Sequence, residues 1–217
     1  MTGHRAFRVE VVVEAPREDV WRALTEPERV ARWFGWDYDG LASEIEYIFV
    51  DHARHEPRAL IELDDGQDNQ TIELIEEGPR TRVICFRPGP LDGADWDELY
   101  EDVREGWITF FAQLRHSLER HPNEDRRTIR LTGEAVPAEV VEALGRELNG
   151  PIWHEGRFQH AVAAGGDGDL LVGVHPKLPI DSRERGPVAV TITSYGLGDE
   201  AFAAAGERWQ AWWGERT

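Results

Sequence analysis

The chain has 217 residues, of which 41% are hydrophobic and 30% charged, and its formal net charge at pH 7 is -18. This balance is typical of a soluble globular protein with one large or two small domains, and it excludes a disordered chain. Because acidic residues outnumber basic ones so strongly, the sequence predicts no nucleic-acid partner and no anionic membrane surface as a partner. We interpret the acidity as a contribution to solubility.

The expected compartment follows from what the sequence lacks. No apolar run approaches the ~18 residues that a membrane span needs. The N-terminal stretch MTGHRAFRVEVVVEA shows neither the apolar core nor the cleavage site of a signal peptide. Cys85 is the single cysteine, which excludes an internal disulfide. We therefore expect a cytoplasmic protein.

The first stretch of the chain predicts a strand followed by two short helices. Apolar residues alternate with others over residues 7–15, as in a strand with one buried face. Pro16 ends the strand and can occupy the first turn of a helix over residues 17–24. Thr25 is interpreted as the N-cap of a second short helix that ends near Phe34.

The next part of the chain predicts four strands and then one long helix. The strand segments are residues 45–49, 59–63, 71–76 and 81–87. The stretch EGWITFFAQLRHSLER, residues 105–120, has Gln113 on its polar side and an apolar stripe at steps of three and four. The stripe consists of Val103, Trp107, Phe110, Phe111, Leu114 and Leu118. This order predicts an α+β helix-grip fold, in which a curved antiparallel sheet wraps round a long C-terminal helix.

The second half of the chain repeats this pattern in reduced form. Its predicted elements are strand 128–132, helix 137–148, strands 158–164, 170–175 and 188–195, and helix 199–213. We expect a helix-grip domain over residues 1–122 and a smaller α+β domain over residues 123–217. The smaller domain is either a degenerate repeat of the first or an unrelated appendage.

Several of these features together resemble a known superfamily. They are the strand ending in Ala15-Pro16, the pairs Val20-Trp21, Leu24-Thr25, Pro27-Glu28 and Trp33-Phe34, and the Gly106-Trp107 that opens the long helix. Residues 5 to 121 are similar to the START-like superfamily, also called Bet v 1-like or SRPBCC. Within it they resemble the branch named after the activator of Hsp90 ATPase. Its members include lipid and hormone binders, polyketide cyclases, aromatase-type enzymes and co-chaperones.

The resemblance implies a cavity between the long helix and the sheet, closed by the two short helices. Such a cavity would bind a small hydrophobic or aromatic molecule. Its mouth would contain Trp33 and Phe34. Its sheet wall would contain Tyr47, Phe49, Ile61, Leu74 and Cys85, with Ile84 as the alternative to Cys85. Its helix wall would contain Trp107, Phe110, Phe111 and Leu114. The alternative for each residue is ordinary core packing, in which the large side chains fill the space.

The sequence carries no clear catalytic or metal-binding motif. It has no phosphate-binding glycine loop, no G-x-S-x-G elbow and no CxxC pair. His52 and His55 share one segment but lack an identifiable third ligand, so we predict neither a metal nor a cofactor. The acidic run from Asp95 to Glu105 is interpreted as a solvated face.

We therefore expect ligand binding ahead of catalysis. One alternative is a polyketide cyclase-like or other enzyme that acts on an aromatic metabolite in the same cavity. The other is a co-chaperone-like interaction module, which needs an exposed apolar patch instead of a cavity. The sequence leaves open whether the protein forms a homodimer.

Overall fold

The computed structural model describes residues 6–64, 69–88, 97–165 and 169–217, with the backbone alone for residues 97–102. The chain divides into two compact units between Asn123 and Glu124. Each unit contains its own hydrophobic core. We propose that these units are the two domains, with the boundary one residue later than the sequence suggested. No helix in the described part of the chain is both long and apolar enough to cross a membrane.

The first unit consists of one sheet and the helices that accompany it. Its elements are β1 (Phe7–Val13), α1 (Arg17–Thr25), α2 (Pro27–Val30), α3 (Leu41–Glu46), a π-helical turn (Tyr47–Asp51), β2 (Ala53–Glu56), β3 (Leu60–Asp64), β4 (Asn69–Glu77), β5 (Arg80–Arg87) and α4 (Asp97–Arg120). The five strands are antiparallel and lie in the order β1-β5-β4-β3-β2. The start of the acidic run, residues 95 and 96, lies outside the described residues.

One face of this sheet forms the core together with α4. The strand register places Val9, Cys85, Ile72 and Ile61 side by side across four strands, and each is at most 6% exposed. Phe111 of α4 belongs to the same core. Fully burying one such apolar side chain stabilises the fold by about 1.5–3 kcal/mol. The predicted α+β arrangement of an antiparallel sheet packed against a long helix is confirmed.

The strand predicted over residues 45–49 is wrong, because this segment is helical. Ile45 lies in α3 and Phe49 in the π-helical turn that follows it. Their side chains are four residues apart, which is about one helical turn, so both face the core at 3% and 1% exposure. The missing strand is supplied by β2, where we expected a loop. Among the described strands, this short edge strand pairs with β3 alone.

The predicted cap at Thr25 is also wrong. Thr25 is the last residue of α1, and its hydroxyl donates back to the carbonyl oxygen of Trp21 at 2.8 Å. The N-cap position of α2 is Glu26, which makes no side-chain capping bond. Because Pro27 has no N–H to satisfy, α2 can begin there without one.

The second unit has the same connectivity as the first. Its elements are β6 (Arg126–Ala135), α5 (Pro137–Glu147), β7 (Ile152–Glu155), β8 (His160–Ala164), β9 (Leu170–Pro176), β10 (Gly186–Tyr195) and α6 (Asp199–Gly214). The sheet order is β6-β10-β9-β8-β7, which repeats the first-fifth-fourth-third-second order of the first unit. The expectation of fewer strands is wrong, because β7 supplies a fifth. The shared order supports a degenerate repeat over an unrelated appendage.

Tryptophans of α6 close the core of the second unit. Trp209 and Trp212 are 1% and 6% exposed, and they pack with Leu144 of α5 and Val190 of β10. Trp213 donates its indole N–H to the carbonyl oxygen of Thr132 in β6 at 3.3 Å. The final helix therefore lies against the sheet of its own unit, as α4 does in the first.

Candidate ligand site of the first unit

An aromatic cluster joins the segment after α2 to the long helix α4. Phe34 is central to it, because its ring centroid lies 5.0 Å from that of Phe49 and 4.7 Å from that of Phe110. Trp33 meets Phe49 edge to face at 5.8 Å. The cluster consists of Trp33, Phe34, Phe49, Trp107, Phe110 and Phe111. Such ring pairs are worth about 0.5–1.5 kcal/mol each beyond the area they bury.

The cluster lies in the same core as the predicted sheet wall. Ile61, Leu74 and Cys85 are at most 4% exposed, and Leu114 of α4 is fully buried among them. All the predicted wall residues except Tyr47 belong to this core or pack against it. Ile84, the alternative to Cys85, is buried but is not a member of this core. The sequence therefore identified side chains that meet in space, and their contact with a ligand stays a prediction.

The positions of Trp33, Phe34 and Tyr47 differ from the expectation. Trp33 and Phe34, expected at a mouth, are 0% and 4% exposed. Trp33 donates its indole N–H to the carbonyl oxygen of Ala23 in α1 at 2.8 Å. Tyr47, expected in the sheet wall, is 46% exposed, and its ring lies tilted by 39° to that of His52 with centroids 4.1 Å apart. Since side chains turn by about 100° per residue in a helix, Tyr47 points away from the face that Phe49 occupies.

A small polar group adjoins the aromatic cluster at β4. The indole N–H of Trp107 donates to Oε1 of Gln70 at 2.5 Å, and the Cys85 thiol lies 4.0 Å from the same oxygen. Burial raises the pKa of the Cys85 thiol well above its usual value, against the opposing charge of Arg87. The thiol is therefore neutral at pH 7 and is not a nucleophile. Sequence reasoning missed Gln70, because one glutamine in an alternating strand gives no signal.

Gln113 is a second polar residue that sequence reasoning did not place in the site. Its amide nitrogen donates to the carbonyl oxygens of Trp33 and Gly35 at 3.0 and 3.1 Å, and the residue is only 2% exposed. Gly35 has φ +67°, and a Cβ there would lie 2.9 Å from Leu41. The chain thus bends at Gly35 in a left-handed conformation and is bound to α4 through Gln113. The amphipathic pattern had placed Gln113 on the polar side of the helix.

The two histidines of the segment HARH have separate surroundings. His52 bonds through Nδ1 to the carbonyl oxygen of Tyr47 at 2.8 Å. His55 lies on β2 opposite Ile61, with its ring edge-to-face on Trp21 at 5.6 Å. Burial lowers the pKa of His55, which keeps its ring neutral at pH 7. We expected solvated histidines in a loop; His55 lies instead in strand β2, and His52 follows the end of the π-helical turn.

Comparisons with known proteins agree with the resemblance seen in the sequence. The family model for activator of Hsp90 ATPase homolog 1-like proteins matches residues 14–59. This range runs from the end of β1 to the start of β3 and contains the Trp33-Phe34 pair. The similarity to this branch of the START-like superfamily is thereby confirmed. No curated protein matches the sequence.

Three solved structures are similar to this chain over different lengths. DynU16, a putative protein in the dynemicin biosynthetic locus, is 20% identical, with a TM-score of 0.39 over 96% of this chain and 94% of that one. The di-domain ARO/CYC BexL from the BE-7585A biosynthetic pathway is 13% identical, with a TM-score of 0.43 over 88% and 85%. SSP2350 from Staphylococcus saprophyticus is 22% identical, with a TM-score of 0.43 over 53% and 92%. None of these three scores reaches 0.5, so the fold rests on the strand order and register.

Proposed function

We propose that the first unit binds a small hydrophobic or aromatic molecule between α4 and the sheet. The aromatic cluster is the observation that carries this proposal. Phe34 comes from the bend after α2 and Phe49 from the π-helical turn, and both pack in the core between the sheet and α4. A planar apolar ligand that displaces one of these rings makes the same edge-to-face contacts with the remaining rings that the displaced ring had made.

The π-helical turn gives the ligand a route into this space. Phe49 is 1% exposed, whereas Tyr47 and Val50 of the same turn are 46% and 45% exposed. Moving Phe49 outward therefore disturbs one short turn and leaves the sheet hydrogen bonds in place. Turns of this kind often occur at functional sites.

The polar group beside the cluster orients the ligand. Gln70 offers an amide next to the indole of Trp107, at the edge of an otherwise apolar wall. Apolar sites typically use a few such groups to fix one orientation of a ligand. We therefore expect the preferred compounds to be aromatic and to carry one hydroxyl or carbonyl group.

A thermal-shift screen with aromatic compounds tests the proposal, supported by mass spectrometry of compounds that copurify. Leu114→Phe enlarges a side chain beneath α4, where it would compete with a ligand for room, and Leu144→Phe is its matched control, because both leucines are fully buried in separate cores. A compound that raises the Tm of the wild type should lose its effect on Leu114→Phe and keep it on Leu144→Phe. Absence of any stabilising compound, or equal loss in both variants, contradicts the proposal.

A second candidate function is a protein-interaction module. Tyr38, Tyr47 and Val50 are 45–48% exposed and lie on or just before α3 and the π-helical turn. A contiguous patch of exposed apolar groups often marks a docking surface, so this candidate requires these three side chains to adjoin one another. Saturable binding of an Hsp90-class chaperone that Tyr47→Ser and Val50→Ser abolish would support this function. Absence of such binding would contradict it.

The cyclase-like alternative has weaker support. It needs an acid or base beside the aromatic cluster. The ionisable groups described next to it on β5 are the Cys85 thiol, which burial keeps neutral, and the guanidinium of Arg87. Neither group serves as a general base at pH 7.

A further inference from the structure

We propose that the second unit binds a small molecule with a phosphate or carboxylate group in a groove between α5 and the end of α6. The groove has a volume of about 630 Å3. This size lies within the usual range for small-molecule sites. Four arginines line it: Arg146 of α5, Arg183 and Arg185 before β10, and Arg216 after α6. This site is separate from the aromatic cluster of the first unit and does not depend on it.

Two of these arginines are available to a ligand. The side chains of Arg146 and Arg185 are exposed, and within the described residues they form no hydrogen bond or ion pair. By contrast, Arg183 pairs with Glu142 at 2.7 Å. The planar fork of an arginine matches the oxygens of phosphate and carboxylate groups, so a pair of unused guanidinium groups favours an oxyanion.

Arg216 supplies an oriented donor to the same groove. Its guanidinium lies 4.1 Å above the ring of Trp212, which fixes its plane. One terminal nitrogen donates to the carbonyl oxygen of Trp212 and approaches Glu215. The Nε is shielded from solvent and has no acceptor within the described residues. An unsatisfied buried donor is costly, and an oxyanion in the groove would satisfy it.

The acidic residues of the groove narrow the class of ligand. Glu142 and Glu215 each pair with an arginine, whereas Glu139 lines the groove and forms no ion pair with another described residue. A simple anion is repelled by Glu139. A molecule with an oxyanion at one end and a hydroxyl or amino donor at the other can use both sets of groups. The geometry therefore favours a phosphorylated or carboxylated hydroxy or amino compound.

Calorimetric titration of the full chain tests this inference. The probes are phosphoethanolamine, which carries a phosphate and an amino group but no carboxylate, and lactate, which carries a carboxylate and a hydroxyl. Ethanolamine, which lacks an oxyanion, and sodium chloride are the controls. We expect saturable binding of phosphoethanolamine or lactate, but not of ethanolamine. The double variant Arg146→Gln/Arg185→Gln should weaken this binding tenfold or more, roughly 1.4 kcal/mol. Arg208→Gln is the matched control, because Arg208 is an exposed arginine of α6 that pairs with Glu147 outside the groove.

Three results would overturn the inference. The first is no saturable binding of either anionic probe at about 10 mM, which corresponds to an affinity weaker than most specific sites. The second is equal binding by the double variant and the wild type, with circular dichroism showing both folded. The third is an equal loss in Arg208→Gln, because general electrostatic attraction would then explain the binding.

Discussion

The side-chain amide of Gln113 in α4 donates to the backbone oxygen of Trp33 at 3.0 Å, in a position that is almost completely shielded from water. This bond connects the long helix to the segment that carries Phe34, which is central to the aromatic cluster. The same amide also bonds Gly35. One polar side chain thus fixes the part of the chain that closes the proposed ligand site.

Replacing Gln113 by leucine should destabilise the protein. The apolar side chain keeps most of the volume but leaves the carbonyl oxygens of Trp33 and Gly35 buried without their donor. We expect a loss of about 1–3 kcal/mol in the free energy of unfolding, measured by urea titration. Arg120→Gln, at an exposed position of the same helix, should change it by less than about 0.5 kcal/mol. Equal effects of both variants would contradict the role assigned to Gln113.

Phe49→Ala and Tyr47→Ala should differ sharply in stability. Phe49 is 1% exposed and Tyr47 is 46% exposed in one π-helical turn. We expect Phe49→Ala to cost about 3–5 kcal/mol because it leaves a cavity. Tyr47→Ala should cost less than about 1 kcal/mol. If the segment were a strand, both side chains would share a face and both variants would be costly.

Two glycine-to-alanine substitutions should change the stability of the protein in opposite directions. Gly35 has φ +67° and little room for a Cβ, so Gly35→Ala should destabilise the protein by about 1–2 kcal/mol. Gly145 lies inside α5, and a Cβ there meets nothing within 4 Å. Gly145→Ala should therefore stabilise the protein by about 0.5–1 kcal/mol through helix propensity. Thermal unfolding of both variants checks the prediction, and a stabilising Gly35→Ala would contradict it.

The second unit should lose stability as the pH falls below 6.5. Burial, together with the positive charges of Arg130 and His154, lowers the pKa of His175 from 6.5 to about 3. Between these values the unfolded chain binds a proton that the folded chain does not, so acid favours unfolding, and the contribution of His175 is complete above pH 6.5. Its Nε2 is shielded, but part of the residue remains exposed. We therefore expect His175 to contribute about 1–3 kcal/mol to the free energy of unfolding at neutral pH, which is less than the full pKa shift implies.

The variant His175→Gln tests this pH dependence. The free energy of unfolding of the wild type should fall between pH 7 and pH 4.5, and that of the variant should fall less. Some dependence should remain in the variant, because burial also lowers the pKa of His160. An identical pH profile for the two proteins would show that His175 is not the group responsible.

The sequence predicted best those elements whose apolar residues fit only one periodicity, either the alternation of a strand or the three-to-four spacing of a helix. β1 and β5 alternate, so they were predicted within two residues of their observed bounds. The apolar stripe of α4 repeats at three and four residues and predicted its end at Arg120, but the helix begins at Asp97, eight residues before the predicted start. The π-helical segment was ambiguous, because Ile45 and Phe49 are an even number of residues apart and also one helical turn apart. Contacts of Phe49 with Trp33 and Phe34, which the local pattern does not contain, accompany the helical conformation.

The elements and site residues that were missed have little local pattern. β2 and β7 are short edge strands with mostly exposed or half-buried residues, so burial imposes no alternation on them. Gln70 and Gln113 are polar residues whose roles depend on partners more than thirty positions away in the sequence. No spacing rule can identify such partners from one sequence. The sequence was sufficient to predict which apolar residues share the core of the first unit, and it was not sufficient to predict their polar contacts.

The most direct test of ligand binding in the first unit is an NMR titration that follows the indole N–H signals of the tryptophans. With an aromatic compound that stabilises the protein, the signals of Trp33 and Trp107, both in the aromatic cluster, should shift in a saturable manner. The signals of Trp209 and Trp213, in the core of the second unit, should stay unchanged. Shifts confined to the second unit, or no saturable shift of Trp33 and Trp107, would contradict binding between α4 and the sheet.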